Sequence, residues 1–329
     1  MEHRIVWNEQ YNIGVDIIDR QHKKLFGILN KLLNFGQLAE KSQWICQEAI
    51  KYFKDHTLEH FQDEETYMVS IDYPGFEMHK RIHSNFRDIT LPALERELKR
   101  NDYSENSVHH FLGVCTGWLI GHTLTEDLAI VSGETIRQWD NLLPEEEQAI
   151  MGQTIISQLN QMFQLDSRLI DNCYRGEQFG DGIYLRLIYI TEDEKSWEFL
   201  LVFEEPLIIS TLGSVIRSKS KAINSMLMNA AKYTAIQFVE RIKRHFPSLE
   251  PAEMKGQLLT YEQFQKAFAR DCPQFSLLFD TGKGYFAFCM TTSDTLPSEE
   301  SEALIITENA MDQVKKYLNR NEEAFRQNS

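Results

Sequence analysis

Cysteine is scarce in this sequence, and its positions offer no pairing pattern. No two of the five cysteines in the 329 residues form a Cys-x-x-Cys pair: Cys46, Cys115, Cys173, Cys272 and Cys289. An odd, scattered set in a chain of this length is typical of reduced thiols, so a disulfide framework, a zinc finger and a thioredoxin-like site are excluded. The N-terminus is polar and has no apolar signal core. We therefore expect a cytoplasmic protein.

Excess basic charge and long apolar runs are also missing. The chain has 34 lysines and arginines against 49 aspartates and glutamates, a formal net charge of −15 at pH 7. Because phosphate binding needs a basic surface, this charge excludes a general binder of nucleic acid or of anionic membranes. No apolar run approaches the roughly 20 residues that cross a bilayer. We predict no nucleic acid and no membrane among the partners.

Glycine-rich nucleotide motifs are absent as well. The run Gly176-x-x-x-Gly180-x-Gly182 lacks the spacing of a dinucleotide-binding loop, and Gly282-Lys283-Gly284 lacks the first glycine and the Ser or Thr of a P-loop. The sequence contains no other catalytic signature in its second half. We expect a protein that is not an enzyme.

The first half of the sequence has the pattern of a helical domain. A length of 329 residues suggests about two domains at roughly 150 residues each. Apolar residues recur at helical spacing in four segments separated by turn signals: 17–35, 42–69, 76–99 and 104–131. Pro92 is expected to bend or break the third segment. Four helices with short connections predict an all-α, up-down-up-down four-helix bundle over residues 1–135.

The pattern changes after Pro144, so we assign residues 136–150 to a linker and 151–329 to a second domain. The predicted elements after Pro144 are a helix at 145–165, strands at 183–190 and 197–209, a long helix at 222–245, a hairpin of 276–280 with 285–290, and a last helix at 298–319. Strands and helices occur in separate blocks, which predicts an α+β domain with antiparallel strands.

Histidines and carboxylates recur at regular spacing on the predicted helices. His60 and Glu64 are four residues apart, and so are His79 and His83. Each pair therefore lies on one face of its helix, one turn apart. His22 lies alone on the first helix. A single histidine on an amphipathic helix is more often a surface or core residue than a ligand, but two such pairs are harder to obtain by chance.

The fourth helix adds His122 and Asp127. They are five residues apart, which turns an α-helix by about 140° and removes the two side chains from a common stripe. All four helices together supply five imidazoles and two carboxylates. Such a set suits two adjacent iron ions in a bundle core, because imidazole binds iron and carboxylates bridge two metals. It is richer in histidine than the Glu-x-x-His sites of di-iron oxidases.

Longer motifs surround these residues. They are Trp7, Gly14-Val15, Ile18-Asp19-x-x-His22, His60-Phe61-x-x-Glu64-Glu65-x-x-Met68, Tyr73-Pro74, His79-x-x-x-His83 and Trp118-Leu119-x-x-His122-x-x-x-x-Asp127. Through them, residues 1 to about 135 resemble the bacterial hemerythrins along their whole length. No ligand of the family pattern is missing.

The resemblance implies that seven side chains hold two non-haem iron ions. Three histidines would bind one iron: His79, His83 and His122. Two histidines would bind the other iron, and two carboxylates would bridge the pair with an oxo or hydroxo group: His22, His60, Glu64 and Asp127. O2 would bind at an open position of the second iron. Leu119, one turn before His122, matches the residue that lines the O2 pocket in the family.

The remaining histidines have ordinary interpretations. His56 lies one turn before His60 and is either an outer partner of the ligands or an exposed side chain. Four others carry no metal prediction: His3, His109, His110 and His245. Cys115 lies two turns before His122, and a small buried residue is expected there.

The second half resembles the CheX/CheC-like chemotaxis phosphatase domains in its order of elements, over residues 183–290. That family acts through a Glu-x-x-Asn pair on its long helix, and this chain has Met226-x-x-Asn229 at the matching place. A methionine in place of the acid implies a binding or dimerising role and not phosphatase activity. A homodimer through this domain, and a signalling or chemotaxis protein as partner, follow as expectations.

The leading hypothesis is an O2-binding di-iron protein that reports oxygen or redox state to its C-terminal domain. Two alternatives stay open. The same centre would serve an enzyme that reduces nitric oxide or peroxide, or a sensor of iron supply. Turnover distinguishes the enzyme, and unfolding without iron distinguishes the iron sensor.

Overall fold

The computed structural model describes residues 4–35, 42–133, 144–191, 195–217, 223–246, 252–270 and 273–293. The chain forms two compact units. The first comprises Met1–Glu134, Leu212–Lys221 and Asn229–Thr234, and the second Thr135–Thr211, Ala222–Met228 and Ala235–Ser329. In the described part of the chain, no helix is both long and apolar enough to cross a membrane. The predicted last helix at 298–319 and residues 136–143 of the predicted linker lie outside the described residues.

Helices make up most of the first unit. Its elements up to residue 133 are β1 (Arg4–Ile5), α1 (Asp16–Phe35), α2 (Ser42–Ser70), α3 (Phe76–Asn85), α4 (Leu91–Arg100), α5 (Glu105–His122) and α6 (Leu128–Ser132). Helix α1 contacts α2 and α5, α2 contacts α3, and α4 contacts α5. The prediction of a helical N-terminal half is confirmed.

Pro92 does not break the third helical segment, and a bend there stays a prediction. Helices α3 and α4 are joined by a π-helical turn over Phe86–Thr90, in which the Leu91 N–H donates to the Phe86 carbonyl oxygen. Pro92 follows this turn directly, as the second residue of α4. The segment is therefore not a continuous α-helix, but its helical course continues through the proline.

The segment before α1 is held by a side chain of that helix. The Asp19 carboxylate accepts hydrogen bonds from the backbone N–H groups of Ile13 (2.7 Å) and Gly14 (3.1 Å). Gly14 has a φ of 86°, in the left-handed region that favours glycine. The Gly14 and Asp19 of the sequence motif are therefore one structural device, which fixes the entry of the helix that carries His22.

The remaining elements include a six-stranded sheet. In chain order they are α7 (Pro144–Phe163), β2 (Arg168–Asp171), β3 (Gly182–Thr191), β4 (Ser196–Glu204), α8 (Glu205–Ser210), α9 (Leu212–Val215), β5 (Ile216–Arg217), α10 (Ser225–Lys243), β6 (Ala252–Leu259), α11 (Tyr261–Arg270), β7 (Phe275–Asp280) and β8 (Tyr285–Ser293). The sheet order is β2-β7-β8-β4-β3-β6, and every neighbouring pair is antiparallel. The predicted α+β class is confirmed, while β5 pairs with β1 inside the first unit.

Both faces of the sheet carry an apolar core. On one face, Tyr184 and Leu200 pack with Phe264 of α11. On the other face, Phe286 contacts Phe238 of α10, with ring centroids 5.8 Å apart. Burial on both faces explains why β3 has a nearly continuous apolar sequence instead of strict alternation.

The second unit corrects one predicted strand and adds elements. The strand predicted at 197–209 ends at Glu204, because Pro206 lies in the first turn of α8 and cannot donate to a ladder. Four elements of this unit were not predicted from the sequence: β2, α8, β6 and α11. The predicted hairpin at Thr281–Gly284 is confirmed, since β7 pairs with β8 across it.

Candidate metal centre

The structure brings all seven predicted ligand side chains together in the helical unit. Each of them has no exposed surface: His22, His60, Glu64, His79, His83, His122 and Asp127. Their ligand atoms form two groups, and within each group all atoms lie within 4.8 Å of one another. Glu64 belongs to both groups. The two groups therefore adjoin, with a carboxylate between them.

The first group contains three histidines from two helices. His79 and His83 lie on α3 and His122 ends α5. The Nε2 atom of His83 is 3.1 Å from that of His79 and 2.9 Å from that of His122. Oε2 of Glu64 is 3.3 Å from His79 Nε2 and 3.2 Å from His83 Nε2. Three imidazole nitrogens and a carboxylate oxygen thus converge on one point.

The second group contains two histidines and both carboxylates. The Nε2 atoms of His22 and His60 are 3.2 Å apart. Asp127 Oδ2 is 3.2 Å from His22 Nε2, and Asp127 Oδ1 is 3.0 Å from His122 Nε2 of the first group. Asp127 therefore reaches histidines of both groups, in a position suited to a second bridge.

A π-helical turn explains how Asp127 reaches this position. Residues Thr123–Asp127 form the turn between α5 and α6, and the Leu128 N–H donates to the Thr123 carbonyl oxygen five residues earlier. An α-helix would place His122 and Asp127 about 140° apart. The wider turn brings residues five apart onto one side, which corrects the expectation that the two side chains lie off a common stripe.

Aromatic rings hold the imidazoles of the first group from outside. The Phe61 ring is stacked on His83, with centroids 3.9 Å apart and an interplanar angle of 9°. Trp118 is stacked on His122 at 4.3 Å and on Phe86 at 4.0 Å. Because flat apolar rings exclude water and limit imidazole rotation, Phe61 and Trp118 acquire roles that their place in the motifs did not reveal.

The electrostatics of the protein alone favour neutral imidazoles at His60 and His83, but not at His122. Burial, together with the neighbouring His22, holds the pKa of His60 well below its ordinary value. Burial and His79 lower the pKa of His83. Burial, the largest single effect, lowers the pKa of His122, but the charge and hydrogen bond of Asp127 together with the charges of Glu64 and Glu126 raise that pKa overall. Neutral imidazole is the form that binds metal ions.

The two carboxylates differ in the same way. Burial, reinforced by the Asp127 charge, raises the pKa of Glu64. Burial, the largest single effect, raises the pKa of Asp127, but the charges and hydrogen bonds of His122 and His22 together hold that pKa well below the ordinary value. Two carboxylates in one dry pocket repel each other when both are ionised. Cations between them would remove this repulsion.

The donor set fits metal ions. The four carboxylate oxygens of Glu64 and Asp127 have no partner in hydrogen-bond geometry within the described chain. Facing nitrogens and oxygens lie about 3 Å apart, the separation of neighbouring ligands around an octahedral ion with bonds of about 2.1 Å. Imidazole and carboxylate are ligands that iron accepts. Buried acceptors that face each other cost free energy unless a cation lies between them.

Other predicted residues have clear positions. Leu119 is buried on α5, and its role in an O2 pocket stays a prediction. His56 is in neither ligand group, and its Nδ1 lies 2.8 Å from Oε2 of Glu59. Cys115 is buried, as predicted, and burial raises its pKa. His110 is buried beside Glu97, with 2.8 Å between Nδ1 and Oε2.

Two histidine ligands have outer contacts that were not predicted from the sequence. His60 Nδ1 lies 3.3 Å from Oε1 of Gln21, and His83 Nδ1 lies 3.1 Å from Oε1 of Glu65. Gln21 directly precedes the ligand His22, and Glu65 directly follows the ligand Glu64. This adjacency is the feature of the sequence that could have indicated the two contacts. The helical spacing rules that detect ligands on one face do not detect a neighbour that reaches another helix.

Comparisons with known proteins agree with this site. Residues 13–132 match the family described as "Hemerythrin HHE cation binding domain". The Bacteriohemerythrin of Pseudomonas paraeruginosa is 31% identical over 127 residues, which cover 39% of this chain and 79% of that protein. The Bacteriohemerythrin of Clostridium acetobutylicum is 32% identical over 127 residues, 37% of this chain and 95% of that protein.

A further relative matches over a shorter stretch of the chain. The Myohemerythrin of Theromyzon tessulatum is 29% identical over 97 residues, which cover 28% of this chain and 74% of that protein. No solved structure matches the chain significantly. The matched residues include all seven side chains of the two ligand groups. Through its N-terminal residues, the chain belongs to the hemerythrin family.

Proposed function

We propose that this chain binds O2 at a non-haem di-iron centre formed by the two ligand groups. The observation that carries the proposal is the pair of adjoining groups that share the buried Glu64. A single-metal site would need only one group. Two iron ions in this position would supply reversible binding of O2, which the hemerythrin resemblance implies.

Each ligand then has a definite role. His79, His83 and His122 would hold one iron and His22 and His60 the other, so the second iron has fewer protein ligands and keeps a position for O2. Glu64 and Asp127 would bridge the two ions. The helical segments α1, α2, α3 with α4, and α5 with α6 would form an up-down-up-down bundle, which presents these side chains from four sides.

Leu119 would line the space in which O2 binds. It is buried on α5, three residues before His122 in the sequence, so it lies one helical turn away. An apolar side chain there would exclude water and protons from the O2 position. Exclusion of water is the main contribution that the protein makes to reversible binding, because it slows irreversible oxidation.

The test is anaerobic purification, iron counting and a visible spectrum before and after air is admitted. About two irons per chain and a colourless form that gains a band with O2 would support the proposal. No iron, or one iron without an O2-dependent band, would contradict it. Catalytic turnover with nitric oxide or peroxide would show that the protein is an enzyme and not an O2 carrier.

We further propose that the O2 state is reported through α10. The first unit includes residues 229–234 of α10, and there Ala230 meets Gly117 of α5 so closely that a Cβ on Gly117 would overlap the Ala230 carbonyl oxygen. The Thr234 hydroxyl donates to the Gly117 carbonyl oxygen, at 3.0 Å. Gly117 lies five residues before His122 on the same helix, and α10 continues into residues of the second unit.

Hydrogen exchange would test this sensor role. Amide protons of residues 229–234 should exchange at a different rate in the O2-bound and O2-free forms, while those of the hairpin strands β7 and β8 should not. Equal exchange rates for residues 229–234 in both forms would contradict the sensor role, and O2 binding alone would remain.

For the C-terminal α+β region we propose a binding or dimerising role without phosphatase activity, with a signalling or chemotaxis protein as the partner. Met226 and Asn229, which occupy the place of the Glu-x-x-Asn pair in the CheX/CheC-like resemblance, are both buried. A buried pair without a carboxylate has no group that could direct water at a phosphorylated partner. Release of phosphate from a phosphorylated response regulator by this chain would contradict the proposal.

A further inference from the structure

The two ligand groups differ in what supports their histidines from outside. His83 of the three-histidine group has its Nδ1 3.1 Å from a carboxylate oxygen of Glu65. His60 of the two-histidine group has its Nδ1 3.3 Å from the side-chain oxygen of Gln21, a neutral amide. The inner Nε2 atoms of both histidines face the other ligands. The Nδ1–H groups therefore donate outward, and the acceptors differ in charge.

The two acceptors, Gln21 and Glu65, have equivalent positions in the sequence and in the bundle. Gln21 immediately precedes His22 on α1 and contacts a histidine of α2, whereas Glu65 immediately follows Glu64 on α2 and contacts a histidine of α3. Each acceptor thus fixes a ligand of the neighbouring helix. The Gln21 amide is itself oriented, because its Nε2 donates to Oδ2 of Asp63 at 2.5 Å.

From this asymmetry we infer that Glu65 and Gln21 are positioning residues that give the two metal positions different electron affinities. A carboxylate that accepts from Nδ1–H makes the imidazole a stronger donor through Nε2 and fixes its ring orientation. It also adds negative charge close to the metal position, which favours the more positive oxidation state. A neutral amide fixes the ring with much less of either effect.

The consequence is a division of labour between the positions. The three-histidine position, supported by Glu65, would favour the ferric state. The two-histidine position, supported by Gln21, would favour the ferrous state, in which it is able to take up O2. This inference rests on the proposed di-iron centre and adds residues that bind neither the metal nor O2.

The test compares three variants of the full-length chain. Glu65→Gln keeps a hydrogen-bond acceptor but removes the charge. The double variant Gln21→Glu with Asp63→Asn moves a carboxylate onto His60 at constant net charge and keeps an amide beside it. Glu59→Gln is the matched control, because Glu59 is also a glutamate of α2 on a histidine Nδ1, but that histidine, His56, is no ligand.

The readouts are iron per chain, helical content by circular dichroism, and the midpoint potential from an anaerobic spectroelectrochemical titration. Glu65→Gln should raise the potential, and a tenfold loss of ferric preference corresponds to about 59 mV for one electron. It should also release iron to a chelator about 10- to 100-fold more readily. The double variant should lower the potential, and Glu59→Gln should change nothing.

Equal potentials for Glu65→Gln and Glu59→Gln would overturn the inference, and so would shifts of the same sign for Glu65→Gln and the double variant. Loss of helical content together with iron in Glu65→Gln would assign Glu65 a structural role and would also overturn it. Loss of iron at unchanged helical content would support it. The unsubstituted chain separates these results from the di-iron proposal, which fails only if that chain itself lacks iron or an O2-dependent band.

Discussion

The two halves of the molecule bury polar side chains in opposite ways. In the sheet, Arg186 donates from Nε to Oε1 of Glu198 at 2.9 Å and from Nη2 to Oε2 at 2.7 Å, so a buried charge meets its partner within the protein. Among the helices, Glu64 and Asp127 are buried without acceptable hydrogen-bond partners in the described chain. Buried polar side chains therefore have two roles in this molecule. A pair whose members hydrogen-bond to each other stabilises the fold, whereas a cluster of acceptors without donors indicates a binding site for a cation.

The largest expected effect concerns the unsatisfied cluster. His122→Ala should remove at least one of about two irons per chain, because it deletes a nitrogen of the three-histidine group. His110→Ala is the control, since His110 is also buried on α5 but pairs with Glu97 and has no ligand role. Iron analysis after anaerobic purification measures both. Two irons retained in His122→Ala would mean that the ligand assignment is wrong.

The next effect concerns the satisfied pair. Arg186→Met should lower the free energy of unfolding of the sheet by about 2 kcal/mol, because it removes the buried guanidinium that pairs with the half-buried Glu198 carboxylate. Arg168→Met should cost less than about 1 kcal/mol, because Arg168 pairs with Asp280 at the surface. Urea unfolding followed by tryptophan fluorescence compares the two variants. A change of iron content in Arg186→Met would contradict the distinction between the halves.

Acid should destabilise the helical half when it holds no metal. The lowered pKa values of His60 and His83 mean that the unfolded chain takes up protons first as the pH falls below the ordinary value of 6.5. The metal-free helical unit should therefore be most stable above that pH and should lose stability below it. The raised pKa values of His122 and Glu64 oppose this loss in part, because the folded chain takes up those protons first. Chemical unfolding of the apo chain at pH 7.5 and pH 5.5 tests the sign, and greater stability at pH 5.5 would refute it.

The smallest expected effect is kinetic. Leu119→Ala should leave the iron content unchanged but increase the rate of autoxidation several-fold, because a smaller side chain admits water to the O2 position. Decay of the O2-dependent band in air measures this rate. Ile120→Ala provides a comparison, since Ile120 is an equally buried aliphatic neighbour on α5. Equal rates for Leu119→Ala and the unsubstituted chain would remove Leu119 from the pocket.

The helical half was predictable from sequence because its signals are local. The spacing of His60 with Glu64 and of His79 with His83 follows directly from the helical repeat. The position of Asp127 beside the histidines of both groups was not predictable. It depends on a π turn, which is determined by packing around the helix and is not marked by particular residue types. The outer contacts of Gln21 and Glu65 were missed for a similar reason, since they join different helices.

The sheet half was less predictable because its pairing is between distant segments. Strand β6 has the sequence AEMKGQLL, which contains no β-branched residue, and it forms only because β3 offers it a full antiparallel register. Strand β2 has four residues, all exposed. Helix α11 has ten residues, a length at which tertiary packing and not intrinsic propensity decides.

The π turn at Thr123–Asp127 matches the backbone to the number of residues between His122 and Asp127. If all these residues stayed and the turn relaxed to an ordinary α-helix, everything after it would rotate by about 100°. Asp127 would then leave the two ligand groups although no ligand had been replaced. If one residue were deleted as the turn relaxed, the aspartate would lie four residues after His122, and an α-helix would keep both side chains on one face. The site therefore needs the π turn only because the interval has five residues, so for natural variation and for engineering the turn and the residue count change together.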